Sequence, residues 1–207
     1  MTVRLVLASA SPARLSTLRA AGVEPVVHVS GVDESVVAAA DAAGLATELA
    51  RLKGEAVLAE LAGTAHAGNF VLVGCDSVLD LDGTLCGKPG TDAAVVERWR
   101  AMRGRSGVLV TGHHVVAVRG GRVDRLTRAA STVVHFADVT DAEIDAYVAT
   151  GEPQQVAGAF TIDGFGAAFV TGVEGDPHNV VGLSVPLLRT MLAELGVRWT
   201  DLWRPTP

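Results

Sequence analysis

The amino-terminal stretch from Val3 to Arg19, VRLVLASASPARLSTLR, constrains the fold most, because it turns a strand into a helix within a few residues. The apolar run Val3 to Ala8 predicts a strand, and the leucines that follow at helical spacing predict a helix. Ser11 can cap that helix, and Pro12 can occupy its first turn, where a missing N–H costs nothing. Such a corner presents free backbone N–H groups, hydroxyls and Arg14 at the positive end of a helix dipole. This predicts an anion site, although an ordinary capped helix after an edge strand has the same pattern.

Length and composition bound the fold class. A chain of 207 residues with 49% apolar side chains can bury one large core, so one α/β domain over residues 1–207 is expected, with a loosely held tail from about 198 to 207. The formal net charge of −6 argues against a nucleic-acid partner. The amino terminus fits neither a signal peptide nor a membrane span, and no later apolar run is long enough. We therefore expect a cytoplasmic protein that binds no membrane.

Acidic and basic residues follow in two segments of the first third of the chain. The polar corner SGVDES, from Ser30 to Ser35, carries Glu34, which fits either a metal ligand or a solvated turn. A helical pattern from about Thr47 places Lys53 beside its apolar stripe, where it is either functional or a surface lysine with a buried stem. Gly54 follows in mid-helix at a cost of about 1 kcal/mol relative to alanine. This glycine indicates close approach by something else.

A second acid and a second lysine flank a predicted hairpin. The run Phe70 to Asp76, FVLVGCD, reads as a buried strand ending in a carboxylate, which is costly to bury unless it is paired, protonated or bound to a cation. Asp82 and Gly83 form a two-residue hairpin signal. The return strand leads to Lys88 in the turn GKP, which lacks the spacing and the hydroxyl residue of a Walker loop. We therefore predict that Asp76 and Lys88 share a pocket.

The second half of the chain alternates helices and hairpins. The glycine-rich segment VAGAFTIDGFGAAFVTGVEGDPHNVVGL indicates backbone packed closely against backbone or ligand. Within it, Asp176 to Asn179 is expected to form a solvated turn. The predicted elements are helices at 92–102, 141–149 and 184–195, and strands at 108–118, 123–136, 160–162 and 168–173.

Eight motifs occur along the chain in a fixed order: LASASPARL, VDE, LARLKGEAV, GCDSVL, GKP, RSGVLVTG, GEP with AGAFTIDGFGA, and NVVGL. Together they resemble the Maf family of nucleoside triphosphate pyrophosphatases, also described as septum-formation proteins, from Arg4 to about Gly196. The resemblance implies an elongated α/β fold like that of inosine triphosphate pyrophosphatase, with a twisted mixed sheet flanked by helices and two lobes around a cleft. It also implies hydrolysis of the α–β phosphate bond to a nucleoside monophosphate and pyrophosphate, a divalent cation (Mg²⁺ or Mn²⁺), and a homodimer.

The resemblance also implies the site residues, and the chemistry of polyphosphate hydrolysis needs the same residue types. The triphosphate charge must be held, a water oriented in line and the leaving pyrophosphate stabilised. Carboxylates can prepare the water, either directly or through a metal, so Asp76 is assigned as general base and Glu34 as metal ligand, although the two roles could be exchanged. The expected catalytic set is Asp76, Glu34, Lys53 and Lys88, of which Glu34 and Asp76 are the expected metal ligands, and the expected phosphate-binding set is Ser9, Ser11, Arg14, Lys53 and Lys88.

The chain departs from the family pattern where the resemblance implies base choice. Relatives that prefer pyrimidines read SPRR, DT and IQG at three places where this chain has Ala13, Ser77 and Asp163. An ionised carboxylate can only accept hydrogen bonds, whereas an amide can also donate. The phosphate-binding residues therefore carry over and the pyrimidine preference does not, which leaves the base open. The competing hypothesis is a nucleotide-binding regulator of cell division without significant turnover.

Overall fold

The computed structural model describes residues 3–34, 37–62 and 69–203 and contains one open, seven-stranded mixed sheet. The strand order is β2-β1-β3-β5-β6-β7, and β4 pairs with β3 off this path. The strands are β1 Arg4–Ala8, β2 Val26–Val27, β3 Phe70–Leu81, β4 Thr84–Cys86, β5 Ser106–Arg119, β6 Arg122–Phe136 and β7 Val170–Glu174; the helices are α1 Pro12–Ala20, α2 Ala42–Ala62, α3 Asp92–Met102, α4 Asp141–Val148, α5 Pro177–Val181 and α6 Val185–Glu194. The predicted α/β class with a mixed sheet flanked by helices is therefore confirmed.

The long strand β3 organises the sheet. Along one side it pairs antiparallel with β5 from residue 70 to residue 80. Along the other side it pairs parallel with β1 over residues 70–74 and antiparallel with the short β4 over residues 79–81. The two partners leave residues 75–78 unpaired on that side, so the sheet has a gap in the middle of β3.

Helices cover both faces of the sheet because side chains alternate along each strand. On one face, Leu7 and Val73 pack with α1 and α6, and Leu79 packs farther along β3 with Trp99 of α3 and Ile144 of α4. On the opposite face, α2 packs its own apolar side on β1, β3 and β5. The gap in β3 therefore lies between two packing clusters on one face and below α2 on the other.

The predicted strand-to-helix corner at the amino terminus is confirmed. Helix α1 begins at Pro12, and the Ser11 hydroxyl accepts a hydrogen bond from the Arg14 N–H. The predicted hairpin at Asp82 and Gly83 is also present, with both residues at positive φ. The capping box of Thr140 and Glu143 begins α4, as expected.

Four predicted elements are wrong in their extent or kind. Helix α2 begins at Ala42 rather than about Thr47. Strand β3 does not end at Asp76 but continues to Leu81, because the hairpin partner β4 extends it. Residues 160–162 form no strand; this segment lies between short 3₁₀ turns, where glycines turn the chain too often for a ladder. The tail is held as far as Trp203. Leu202 is buried in the cluster that Leu7 and Val73 form with α1 and α6, and the Trp203 indole donates to the Ala21 carbonyl. Residues 204–207 lie outside the described part.

Helix α2 lies unusually close to the sheet, as Gly54 predicts. A Cβ on Gly54 would come within 2.6 Å of the His114 ring, and a Cβ on Gly74 within 2.5 Å of the Ala50 carbonyl oxygen. The His114 ring cannot move aside easily, because it is hydrogen-bonded to Thr127 at 2.7 Å and to Glu55 at 3.1 Å. This close packing fixes the height of α2 above β3 and thereby the position of Lys53.

The substitution Gly54→Ala should destabilise the fold by up to about 2 kcal/mol. Overpacking against a pinned ring costs about 1–3 kcal/mol, whereas removing a glycine from a helix interior returns only about 1 kcal/mol. Urea unfolding followed by circular dichroism measures the difference. In a His114→Ala background the same substitution should cost less, and equal losses in both backgrounds would contradict the assigned contact.

Candidate active site

The gap in β3 opens into a cavity of about 600 Å³. The serine-rich corner after β1 lies at one end of the gap, and the turn after β4 lies at the other. Helix α2 and the glycine-rich segment after α4 close the sides. The cavity wall includes all ten residues singled out from the sequence: Ser9, Ser11, Ala13, Arg14, Glu34, Lys53, Asp76, Ser77, Lys88 and Asp163. The structure thus brings the predicted residues together, and their individual roles stay predictions.

Lys53 lies between the two predicted carboxylates. Its ammonium Nζ is 2.5 Å from Asp76 Oδ1 and 2.7 Å from Glu34 Oε1. The side chains of Lys53 and Asp76 are only 11% and 13% exposed, whereas that of Glu34 is 50% exposed. Asp76 reaches Lys53 because it points from β3 to the face that α2 covers. One cation therefore holds two acids from different segments at the cavity wall.

Arg14 is held from three sides. Its Nε donates to the Gly182 carbonyl at 2.7 Å, and its two terminal nitrogens donate to Ser9 Oγ at 3.0 Å and Ser77 Oγ at 3.2 Å. Gly182 has a φ of +115°, and a Cβ there would lie 3.1 Å from Arg14 Nε. Of the five guanidinium N–H groups, three are used, so two remain for a ligand.

A buried hydroxyl network supports Arg14 on the same face of β3, opposite to the face of Asp76. Ser77 Oγ and Thr111 Oγ1 are 2.9 Å apart, and Thr111 donates its one hydroxyl proton to the Asn179 carbonyl at 2.9 Å. Ser77 must therefore donate to Thr111 and accept from Arg14. Its one proton is therefore used inside the network, which leaves Ser77 Oγ one acceptor position for a ligand.

Asn179 corrects the expectation of a solvated turn. Its side chain is fully buried, and the amide nitrogen donates to the carbonyls of Leu109 and Ala130 and to Thr132 Oγ1 at 3.1–3.2 Å. These bonds anchor the short helix α5, which leads to Gly182 and so to Arg14. The motif NVVGL was the available signal, but periodicity alone does not distinguish a buried asparagine from an exposed one.

Lys88 lies on the exposed turn after β4. This turn is held by backbone bonds, from the Gly158 N–H to the Gly87 carbonyl at 3.3 Å and from the Gly90 N–H to the Gln154 carbonyl at 3.1 Å. Within the described residues the Lys88 ammonium has no ion-pair partner. Lys88 can therefore turn its charge to an anion in the cavity.

The donor set fits a magnesium or manganese ion that is bound together with a substrate. No group of three or more His, Cys, Asp or Glu side chains suited to a metal occurs among the residues described. Glu34 and Asp76 supply two carboxylates at one place. Mg²⁺ typically binds one or two carboxylates and completes its shell with waters and substrate phosphates. The two acids are therefore sufficient on the protein side.

The fold and the cavity define an α/β protein with a mixed cationic and acidic cleft at a gap in its sheet. The chain belongs to the Maf-like protein family, whose pattern matches residues 4–195. It is 55% identical over 204 residues to a nucleoside triphosphate pyrophosphatase of Cutibacterium acnes, covering 98% of this chain and 96% of that protein. The protein of the same name from Salinispora tropica is 58% identical over 213 aligned positions, covering 100% of this chain and 93% of the relative. In the described ranges, no helix combines the length and apolarity needed to cross a membrane.

Two adjacent histidines on β5 face opposite sides of the sheet, as expected for neighbours on a strand. His114 faces α2, whereas His113 faces α6, where its Nε2 accepts from the Ser184 N–H at 2.8 Å and its Nδ1 donates to the Thr111 carbonyl at 3.0 Å. Burial lowers the pKa of His113 to about 4. The neutral ring therefore clamps the segment that carries Gly182.

The folded protein should lose stability as the pH falls from about 6.5 toward 4, by up to about 3 kcal/mol from His113 alone. The unfolded chain takes up a proton on His113 near pH 6.5 and the folded one only near pH 4. The contribution of neutral His113 to the free energy of unfolding is therefore complete above pH 6.5 and is lost as the pH falls. Urea unfolding of the wild type and of His113→Gln at several pH values measures it. The variant should show a shallower decline over this range, and identical slopes would contradict the assignment.

Proposed function

We propose that the protein hydrolyses nucleoside triphosphates between the α and β phosphates, releasing a nucleoside monophosphate and pyrophosphate. The observation that supports this most is the convergence of three cationic side chains from separate segments, Arg14, Lys53 and Lys88, on one cavity that also contains Asp76. The names of the close relatives support the same reaction. Three cations suit a triphosphate, whose charge must be held while its bond is broken.

The serine-rich corner would bind the phosphates together with the cations. Ser9 Oγ accepts from Arg14 and from the Ser11 N–H at 3.2 Å, so its own proton is free to donate to a phosphate oxygen. Arg14 has two N–H groups to spare, and the first turn of α1 adds the positive end of its dipole. These groups are held in place before substrate binds, which lowers the cost of orientation.

The acids would prepare the attacking water. In this proposal Asp76 takes a proton from the water as general base, and Glu34 is the metal ligand, with the reverse assignment as the alternative. Lys53 contacts both carboxylates and can exchange one of them for a phosphate oxygen when the triphosphate binds. A bound Mg²⁺ or Mn²⁺ would neutralise phosphate charge and polarise the phosphorus centre.

Further parts of the proposal concern location and partners, of which the homodimer rests on the family resemblance and the others on the sequence. The protein would act in the cytoplasm as a homodimer, with nucleotide as its ligand and without nucleic acid or membrane as partner. The net charge of −6 agrees with a phosphate site confined to one cavity rather than a basic surface.

The substitution Asp76→Asn should lower pyrophosphate release by about 10²–10⁴-fold while nucleotide still binds, since an amide cannot take up the proton. A coupled pyrophosphate assay and titration calorimetry measure the two quantities. Asp80→Asn is the matched control on the same strand, because Asp80 instead accepts from the Gly83 N–H in the hairpin. Near-normal turnover by the Asp76 variant would contradict its role. A wild type that binds nucleotide without turnover would favour the division regulator.

The base should be chosen partly by Ala13, Ser77 and Asp163, and the wild type should accept purine as well as pyrimidine nucleotides. Asp163 is exposed at the cavity wall and can only accept hydrogen bonds, which favours bases that present amino groups. Asp163→Asn should therefore raise kcat/KM for UTP relative to CTP by about tenfold, as one hydrogen bond to a charged group allows. Assays over ATP, GTP, CTP, UTP and dTTP test this, and strict dTTP and UTP selectivity of the wild type would overturn it.

A further inference from the structure

The carboxylate of Glu152 lies outside the cavity wall but is the centre of the loop that closes one side of it. Oε1 accepts from Tyr147 Oη at 2.8 Å, from Thr161 Oγ1 at 2.6 Å and from the Gly166 N–H at 3.0 Å. Oε2 accepts from the Phe165 N–H at 3.0 Å. One side chain therefore receives four donors, from α4, from the start of the loop and from its end.

The loop is wrapped around this carboxylate without room for other side chains. A Cβ on Gly164 would come within 2.8 Å of Glu152 Cδ, and a Cβ on Gly166 within 2.5 Å of Tyr147 Oη. Burial alone would raise the pKa of Glu152, but the hydrogen bonds from Thr161, Tyr147 and the two backbone N–H groups lower it overall. The group is therefore held as an anion inside the loop.

The same loop supplies four consecutive residues of the cavity wall, from Phe160 to Asp163. Phe160 is held independently of Glu152, since its ring packs edge-on against Phe136, with the ring centres 5.0 Å apart, in the core cluster that contains Leu79 and Trp99. Beyond Phe160, Ile162 also packs against this cluster, whereas the hydrogen bonds from Thr161, Phe165 and Gly166 to other parts of the fold all go to Glu152. Its carboxylate thus holds both ends of the segment that carries Ile162 and Asp163.

The phosphate-binding residues are supported by other contacts. Arg14 is held by Ser9, Ser77 and Gly182, and the turn of Lys88 is held through backbone bonds. None of the groups bonded to Glu152 is among these contacts. A change at Glu152 can therefore move the loop and leave the phosphate end of the cavity as it is.

We propose that Glu152 is a positioning residue for nucleobase selection, which it exerts by holding Ile162 and Asp163 against the base. The proposal rests on the proposed function, because it assumes a nucleotide in the cavity. Glutamine at this position has the same size but one acceptor oxygen fewer. If the amide oxygen keeps the three donors, the NH₂ group faces the Phe165 N–H, donor against donor, and the end of the loop is released.

The decisive experiment compares Glu152→Gln with the wild type over the five common nucleotides and with inorganic tripolyphosphate as a competitive inhibitor. The variant should raise KM for the best nucleotide by about tenfold, as loss of one charged hydrogen bond allows, and for the worst one much less, with kcat changed by less than about threefold. The spread of kcat/KM between the best and the worst base should shrink by a similar factor. The inhibition constant of tripolyphosphate, which has no base, should stay within about twofold of the wild type.

Glu143→Gln is the matched control. Glu143 also accepts from a backbone N–H and a hydroxyl, both of Thr140, at 2.7 and 2.8 Å, but it caps the start of α4 away from the cavity. Both variants should lose thermal stability, and only Glu152→Gln should change the base preference. A milder variant, Tyr147→Phe, removes one of the four donors and should shift KM in the same direction by a smaller factor, which keeps the test available should Glu152→Gln fold poorly.

Two results would overturn the proposal. One is a Glu152→Gln variant that melts earlier but keeps the KM values and base preference of the wild type, as expected for a purely structural role. The other is a parallel rise in the tripolyphosphate inhibition constant, which would place the effect at the phosphate end. Failure of the proposed function is recognised separately, because the wild type itself would then release no pyrophosphate; nucleotide binding measured by calorimetry still compares the two proteins.

Discussion

The split pairing of β3 is the constraint on which the rest of the structure depends. Its two short partners, β1 and β4, leave four residues in the middle of the strand unpaired on one side, although β5 pairs continuously along the other. Alternation along the strand then sends Asp76 to the α2 face and Ser77 to the α1 face. Lys53 and Arg14 therefore approach the same gap from opposite faces of one sheet, and the turns after β1 and β4 lie at its two ends.

Much of this arrangement could be predicted from local sequence signals. The corner at Ser11 and Pro12, the hairpin at Asp82 and Gly83 and the tight approach at Gly54 each depend on neighbouring residues or on one steric requirement. The convergence of the ten site residues on one cavity depends on long-range pairing. It was predictable only because eight motifs occur together in the order that the family resemblance requires.

The features that escaped prediction are those in which a polar side chain is buried by distant partners. Asn179 reads as a turn residue, yet its amide nitrogen donates to carbonyls of β5 and β6 some fifty to seventy positions away. Glu152 reads as part of a helix stop, yet its acceptors are filled from both ends of a loop that follows it. Strand β3 passes Asp76 because β4 extends it, which a strand pattern ending in an acid does not reveal.

Folding energetics explain why the charged group of Lys53, Asp76 and Glu34 indicates a functional site. Removing water from Lys53 and Asp76 costs several kcal/mol for each ion by general estimates, and a well-packed apolar pair of similar volume is commonly as stable or more stable. Glu34, half exposed, adds little to the stability of the pair in spite of its short contact. The stability of the fold therefore does not explain why the two acids and the lysine are present. Under the proposed function a triphosphate would change this balance, because its charge would replace a carboxylate on Lys53 and release an acid for chemistry. The arrangement is thus understandable as one half of a complex whose other half is the substrate.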